Sequence, residues 1–322
     1  MIKVSIIGAN PLGTTLAFCL AQKTIYDLCL VDTKSYQDAE KKALDIMQSL
    51  AIKNQPITCP VKGALHMEEI KHSDVVIITE GANYAGKKHS DLLFQNSGVI
   101  EEIAKDVKKY APDAFVIIAT NPVDTMVWHF QKSASLPEHR VVGMSGVLNT
   151  NRFRYALSKA LNVNINDIQT LVIGSHNHDM IPLIEHTFIQ GISFVEYAQR
   201  NDIAIEDIEV MIQGVKNAHQ TMIYEDQDLP AYFGATESVI KILESYIFNQ
   251  KQVLSCCVNL NMAEPENDIC INLPSIIGEN GVEEILMPEL SEEDEEKFRE
   301  TIKILLKQNV TISFSKAPSR VA

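Results

Sequence analysis

The stretch Val4-Ser5-Ile6-Ile7-Gly8-Ala9-Asn10-Pro11-Leu12-Gly13 sets a short apolar run directly against a turn bounded by two glycines. From Gly13 to about Lys23 the residues read as a helix, and Leu28-Cys29-Leu30-Val31 then resumes the apolar strand pattern. Strand, glycine turn, helix and strand together predict a βαβ unit, two parallel strands joined by a helical crossover. The pattern continues outward. Asp74-Val75-Val76-Ile77-Ile78 and Ala114-Phe115-Val116-Ile117-Ile118 are continuous apolar runs, as central parallel strands covered on both faces require. Between them Leu92, Leu93, Ile100, Ile103 and Val107 recur at helical spacing.

Beyond about Gly146 the alternation gives way to a helix around Arg152 to Leu161, strand-like stretches near Thr170, Val253 and Ile269, and helices near 203–218 and 235–248. Ser291-Glu292-Glu293-Asp294 has capping-box spacing ahead of Phe298, Ile302, Leu305 and Leu306, which predicts a terminal amphipathic helix. The last dozen residues are expected to be loosely held. The fold class is therefore α/β: an N-terminal Rossmann-type parallel sheet over residues 1–146, and a C-terminal mixed α+β domain over 147–322 for substrate and oligomerisation. No Pro/Gly/Ser-rich linker divides them, so a shared interface is expected.

The turn at Gly8 to Gly13 follows a strand and opens a helix, where backbone N–H groups and a helix N-terminus can receive a pyrophosphate. Alone it is a weak motif. Asp32 ends the next strand 19 residues after Gly13. A carboxylate there accepts hydrogen bonds from a ribose and repels an added 2′-phosphate, so NAD is expected rather than NADP. Asn10 stands where a second glycine would let the backbone approach the phosphates. Asparagine tolerates positive φ, yet its side chain fills space, and weakened cofactor binding is the expectation. The competing reading is a scaffold of this type that has lost its dinucleotide.

Composition narrows the field. Among the 322 residues, 46% are hydrophobic and 22% charged, the balance of a chain that buries an ordinary core. With 28 basic and 42 acidic residues the net charge is −14, and no basic cluster offsets it, so nucleic acid is disfavoured. The six cysteines have no CxxC spacing and mostly sit in apolar runs, as reduced buried thiols do, which points to the cytoplasm. The segment Met1 to Cys19 is broken by Gly8, Asn10, Pro11 and Gly13 and does not suit a signal peptide. No apolar run is long enough for a membrane helix.

Four further stretches occur in order: Thr120-Asn121-Pro122-Val123-Asp124, Gly143-Met144-Ser145-Gly146-Val147-Leu148, Arg152-Phe153-Arg154 and Gly174-Ser175-His176. Together with the glycine turn they resemble the lactate and malate dehydrogenase family, more closely its malate-dehydrogenase-like branch, from about Ile2 to about Lys307. Singly, each residue has a structural reading: a buried histidine, a surface ion-pair partner, a turn former before proline. The resemblance implies instead that His176 exchanges a proton with the substrate oxygen, for which imidazole has a suitable pKa. It implies that Arg152 clamps the substrate carboxylate through a two-pronged contact, and that Asn121 contacts both substrate oxygen and cofactor. NAD, a small 2-hydroxy or 2-oxo acid, and a homodimer or homotetramer follow from the same resemblance.

The chain also departs from the family. Three residues before Arg152 the family places an aspartate that partners the catalytic histidine; here it is Asn149, which can orient the ring but brings no charge and could select the wrong tautomer. The loop 81–91 is one residue shorter than its malate dehydrogenase counterpart. In that alignment His89 replaces the arginine that polarises the substrate carbonyl, and the arginine that selects malate's second carboxylate falls at Tyr84 or Ala85. Lys87 or Lys88 offers charge but not a bidentate fork. After His176 come Asn177, His178 and Asp179 where glycine and aspartate are usual. His176 and His178 would share one face of an extended strand, yet no third ligand is evident, so no metal is expected. Two functions remain: an NAD-linked 2-oxo acid reductase, slow or altered in preference, or a non-catalytic descendant that binds NAD or a carboxylate metabolite as a sensor or assembly partner.

Overall fold

A computed structural model describes residues 1–34, 36–52, 59–82, 89–176, 179–217, 223–224, 229–260 and 268–314. The opening βαβ unit forms as β1 (Ile2–Ile7), α1 (Pro11–Ala21) and β2 (Tyr26–Val31), followed by α2 (Tyr36–Ile52), β3 (Val61–Ala64) and β4 (Val75–Ile78). Next come α3 (His89–Tyr110), β5 (Phe115–Ile118), α4 (Val123–Ala134), β6 (Val141–Gly143) and α5 (Ser145–Leu161). These six strands are parallel in the order β3-β2-β1-β4-β5-β6. Every residue of β4 and β5 is fully buried, which is why these strands are continuously apolar.

The second half adds β7 (Ile168–Gln169), β8 (Val172–Gly174), β9 (Met180–Pro182), β10 (Phe188–Ile189), β11 (Ile192–Ser193), α6 (Phe194–Arg200) and α7 (Ile205–Lys216). A two-stranded ribbon, β12 (Ile223–Tyr224) with β13 (Leu229–Pro230), precedes the helix Phe233–Ile247. The strands β14 (Gln252–Leu260), β15 (Ile269–Gly278) and β16 (Gly281–Ile285) and a C-terminal helix Glu292–Phe314 complete the described chain. The sheet does not stop where the parallel strands end. β14 pairs antiparallel with β6, and β15, β8 and β9 extend the same sheet. One large core covers this sheet, while a smaller one, with Phe153, Leu157, Met180 and Phe194, lies beneath α5, α6 and α7.

Local differences from the sequence reading have local causes. Helix α1 starts at Pro11, since proline's fixed φ suits a first helical position and its missing N–H costs nothing there. Helix α5 starts at Ser145, seven residues earlier than expected (152 − 145). The C-terminal helix is capped by Ser291, whose Oγ accepts the Asp294 N–H at 3.2 Å, and it continues through Thr311–Phe314, so the first four of the final dozen residues are helical rather than loose. Among the described residues, no helix is long and apolar enough to cross a membrane.

Candidate active site

The carboxyl ends of β2 and β4 flank that of β1, with Ile7 level with both Val31 and Ile78. The glycine turn rises between them. Gly8 has φ +111°, and a Cβ on it would stand 2.7 Å from the Glu80 amide nitrogen. Only glycine suits that backbone. A Cβ on Gly13 would come within 1.9 Å of the Gly8 carbonyl oxygen, so the start of α1 is pressed against the turn. Asp32 follows β2 directly, with its Oδ1 accepting the Lys34 N–H at 2.9 Å. The cradle and the carboxylate are those a dinucleotide requires.

Asn10 behaves differently from expectation. Its φ is −73°, so tolerance of positive φ has no part in its selection. It is the N-cap of α1: Oδ1 accepts the Gly13 N–H at 3.0 Å and Nδ2 donates to the Thr79 carbonyl at 2.6 Å. The side chain thus occupies one helix N-terminal donor that a phosphate would otherwise use.

Across the sheet, α5 carries Asn149 and Arg152 one turn apart, on the same helical face. His176 follows β8 in a bend and not on an extended strand, which removes the shared strand face proposed with His178. Its Nδ1 lies 3.1 Å from Asn149 Oδ1. With that oxygen as acceptor, the ring carries its proton on Nδ1. Asn149 Nδ2 and Asn121 Oδ1 are both buried without a hydrogen-bond partner among the described residues, an arrangement suited to a ligand. Arg152 is partly buried and makes no ion pair or hydrogen bond among the described residues; burial lowers its pKa, as expected for a cation lacking an anion. A cavity of about 850 Å³ between α5, α7 and the helix Phe233–Ile247 has Arg152 on its wall, beside Leu148, Met211 and Gly234.

His176 is held from behind by Asp124, a residue on α4 only 3% exposed. Asp124 Oδ2 accepts the His176 N–H at 2.8 Å and the Ser175 hydroxyl at 2.9 Å; Asn272 Nδ2 reaches Oδ1 at 3.3 Å, and Ser145 Oγ lies 3.4 Å from it. Burial pushes this carboxyl above the usual carboxylate range, and the hydrogen bonds from His176, Ser175, Cys257 and Ser145 oppose that rise. Sequence reading missed this role, although Asp124 stands inside a quoted motif. It missed Asn96 as well, which donates to the Asn121 carbonyl at 2.6 Å and accepts the Ala82 N–H at 2.7 Å. A polar residue within the Leu92-to-Val107 apolar stripe was the available signal.

The remaining expected residues are less informative. Tyr84, Ala85, Lys87, Lys88 and His178 lie outside the described residues, and of His89 only its position at the start of α3 is described. Burial, and then the nearby Lys297, lower the Lys216 pKa, and the Asp179 carboxylate opposes that fall. No group of three or more His, Cys, Asp or Glu able to hold a metal occurs among the described residues.

A dinucleotide cradle in the parallel sheet, joined to a second half that carries a histidine held by an asparagine and a partly buried arginine, points to a class of protein, the nicotinamide-linked dehydrogenases of small acids. Comparison with known proteins makes this specific. A family model described as lactate/malate dehydrogenase, NAD binding domain, matches residues 2–143, and its companion, the alpha/beta C-terminal domain, matches residues 146–315. The chain belongs to the lactate/malate dehydrogenase family. A malate dehydrogenase of Pelagibacter ubique is 35% identical over 303 residues, 94% of each chain, and that of Ehrlichia chaffeensis is 32% identical over 301 residues, 93% of this chain and 95% of the relative. Among solved structures, the lactate dehydrogenase of Cryptosporidium parvum, in complex with lactic acid and nicotinamide adenine dinucleotide, superposes with a TM-score of 0.92 at 32% identity, covering 98% of this chain and 99% of that one. The malate dehydrogenase of the same organism gives 0.91 at 31%, covering 97% and 99%. The activity is that of the family, an NAD-dependent interconversion of a 2-hydroxy acid and a 2-oxo acid, and no observation favours the non-catalytic alternative.

The Asp124 network yields a stability prediction. Asp124→Ala strips the acceptor from the His176 N–H and the Ser175 hydroxyl, so the variant is expected to lose about 2–6 kcal/mol in urea unfolding, from two unpaired buried donors at about 1–3 kcal/mol each. A loss below about 0.5 kcal/mol, the size of an ordinary surface substitution, would contradict the network's importance.

Proposed function

We propose that the substrate is a 2-oxo acid held through a single carboxylate by Arg152, with His176 as the acid/base, Asn149 as the residue that positions it, and Asn121 as the orienting donor. The observation that carries this reading is Arg152: a partly buried guanidinium with no anionic partner among the described residues suits a carboxylate ligand. Bound NAD, held by Gly8, Asn10, Gly13, Asp32 and Asn121, supplies the hydride chemistry. In the direction of reduction, His176 gives the Nε2 proton to the carbonyl oxygen while Asn149 Oδ1 keeps the Nδ1 proton in place, a role supported by their 3.1 Å contact. Arg152 fixes the acid end, so the carbonyl stands at a set distance from the ring. Residues 1–146 would form the cofactor domain and 147–322 the substrate and assembly domain, and the cytoplasm is the proposed compartment, in keeping with six unpaired cysteines.

Substrate preference follows from the loop. With His89 and Tyr84 or Ala85 where family arginines are expected, the loop in this alignment offers the second carboxylate of oxaloacetate no bidentate partner. Each lost charged contact, at about 1.5–3 kcal/mol, corresponds to roughly a tenfold to hundredfold loss in kcat/KM. A panel of 2-oxo acids assayed with NADH is expected to show oxaloacetate turnover well below that of an ordinary malate dehydrogenase; vigorous oxaloacetate reduction would refute the loop alignment.

Asn149→Asp tests the acid/base assignment. A carboxylate in place of the amide beside Nδ1 favours imidazolium, so the His176 pKa rises, and the protonated donor needed for reduction persists to higher pH. The falling limb of the reduction rate should therefore move up by about one pH unit or more, and adding His89→Arg should raise the rate further. An unmoved pH profile in an active variant would remove His176 from its role.

A homodimer or homotetramer is the proposed assembly, for which sedimentation velocity is the check: a monomer at tens of micromolar would be the adverse result.

A further inference from the structure

One ion pair crosses the cofactor crevice. Lys34, two residues beyond Asp32 at the end of β2, places its Nζ 2.5 Å from Glu80 Oε1, two residues beyond the end of β4. The two strand ends lie on either side of β1, so this contact bridges the crevice beside the Gly8 turn. Glu80 is firmly mounted: its N–H donates to the Ile7 carbonyl at 2.9 Å, and its carbonyl accepts the Thr120 hydroxyl at 2.7 Å. Its side chain is 14% exposed, whereas that of Lys34 is 64% exposed. A pair with one partner so exposed adds little to stability. Its consequence is positional, because an exposed lysine goes where its fixed partner holds it.

Asp32 marks the ribose position, and Lys34 is tied to it through the backbone hydrogen bond from its N–H to Asp32 Oδ1. A lysine two residues past the ribose carboxylate is well located to act as counter-ion to a 2′-phosphate, which ammonium groups bind readily as point charges. Engaged with Glu80, it is neutralised. We propose that Glu80 is a cofactor-selecting residue, which keeps Lys34 in an ion pair across the crevice and so withholds it from the 2′-phosphate of NADP(H). Discrimination against the phosphorylated cofactor then has two layers, direct repulsion by Asp32 and sequestration of the nearby cation by Glu80. This rests on the reading that NAD occupies the crevice.

The test is a double-mutant cycle read by equilibrium binding, with NADH and NADPH titrated separately by nicotinamide fluorescence. Glu80→Ala and the isosteric Glu80→Gln should each lower the ratio of the NADPH Kd to the NADH Kd by about tenfold, the equivalent of one added charged contact. Lys34→Ala should not lower it, and Lys34→Ala combined with Glu80→Ala should lose the gain made by Glu80→Ala. An equal gain in the double variant would overturn the role of Lys34 and leave simple repulsion by Glu80 in its place. An unchanged ratio in both Glu80 variants, with NADH still bound, would overturn this proposal alone. A wild-type protein that binds neither nucleotide would overturn the NAD reading and this proposal with it.

Discussion

A buried carboxylate, Asp124, links the parallel half of the sheet to the residues of the proposed reaction site. It sits near the start of the helix that follows β5, and the groups that approach it come from the bend after β8, from β15 and from the start of α5. A charge in such a position is costly unless several donors converge on it, so the cost of moving any one of these elements away is high. The bend that presents His176 is therefore fixed by its backbone, and not by its ring. The orientation of the imidazole then falls to a separate residue, Asn149.

The parallel strands were readable because they are buried on both faces and had no option but to be apolar. The glycine turn was readable because Gly8 and Gly13 answer to contacts within a few residues and an adjoining strand. Residues whose roles depend on distant partners were not. Asn10 looked like a tolerated substitute for glycine, but it is a helix cap bound to Thr79, 69 residues away. Asp124 meets Asn272, 148 residues away, and nothing in the local sequence announces that contact. The same limit applies to Lys34 and Glu80, whose meeting depends on β1 lying between the strands that precede them.

The sequence also pointed to a histidine pair on one strand, an inference from alternation that required β8 to continue through His176. The strand ends at Gly174, and the following bend hands the His176 N–H to Asp124 in place of a neighbouring strand. Periodicity predicts which side chains share a face only while the backbone stays regular. Functional residues tend to lie just past that limit, at strand ends and in bends, because there a side chain can face a cavity without its backbone being left unpaired.

The electrostatics at positions 149 and 152 are coupled. An aspartate at 149 would give Arg152, one helical turn away, a nearby negative charge; asparagine leaves the arginine without an anionic partner among the described residues. A more positive pocket attracts a carboxylate more strongly and at the same time disfavours imidazolium at His176. Substrate binding partly reverses the second effect, since the bound carboxylate neutralises Arg152 and removes a cation that opposes protonation of the ring. Under the proposed assignment, the proton donor thus becomes better populated once the substrate is bound than in the free enzyme. The substitution at 149 therefore moves part of the control of His176 from a fixed residue of the protein to the substrate itself.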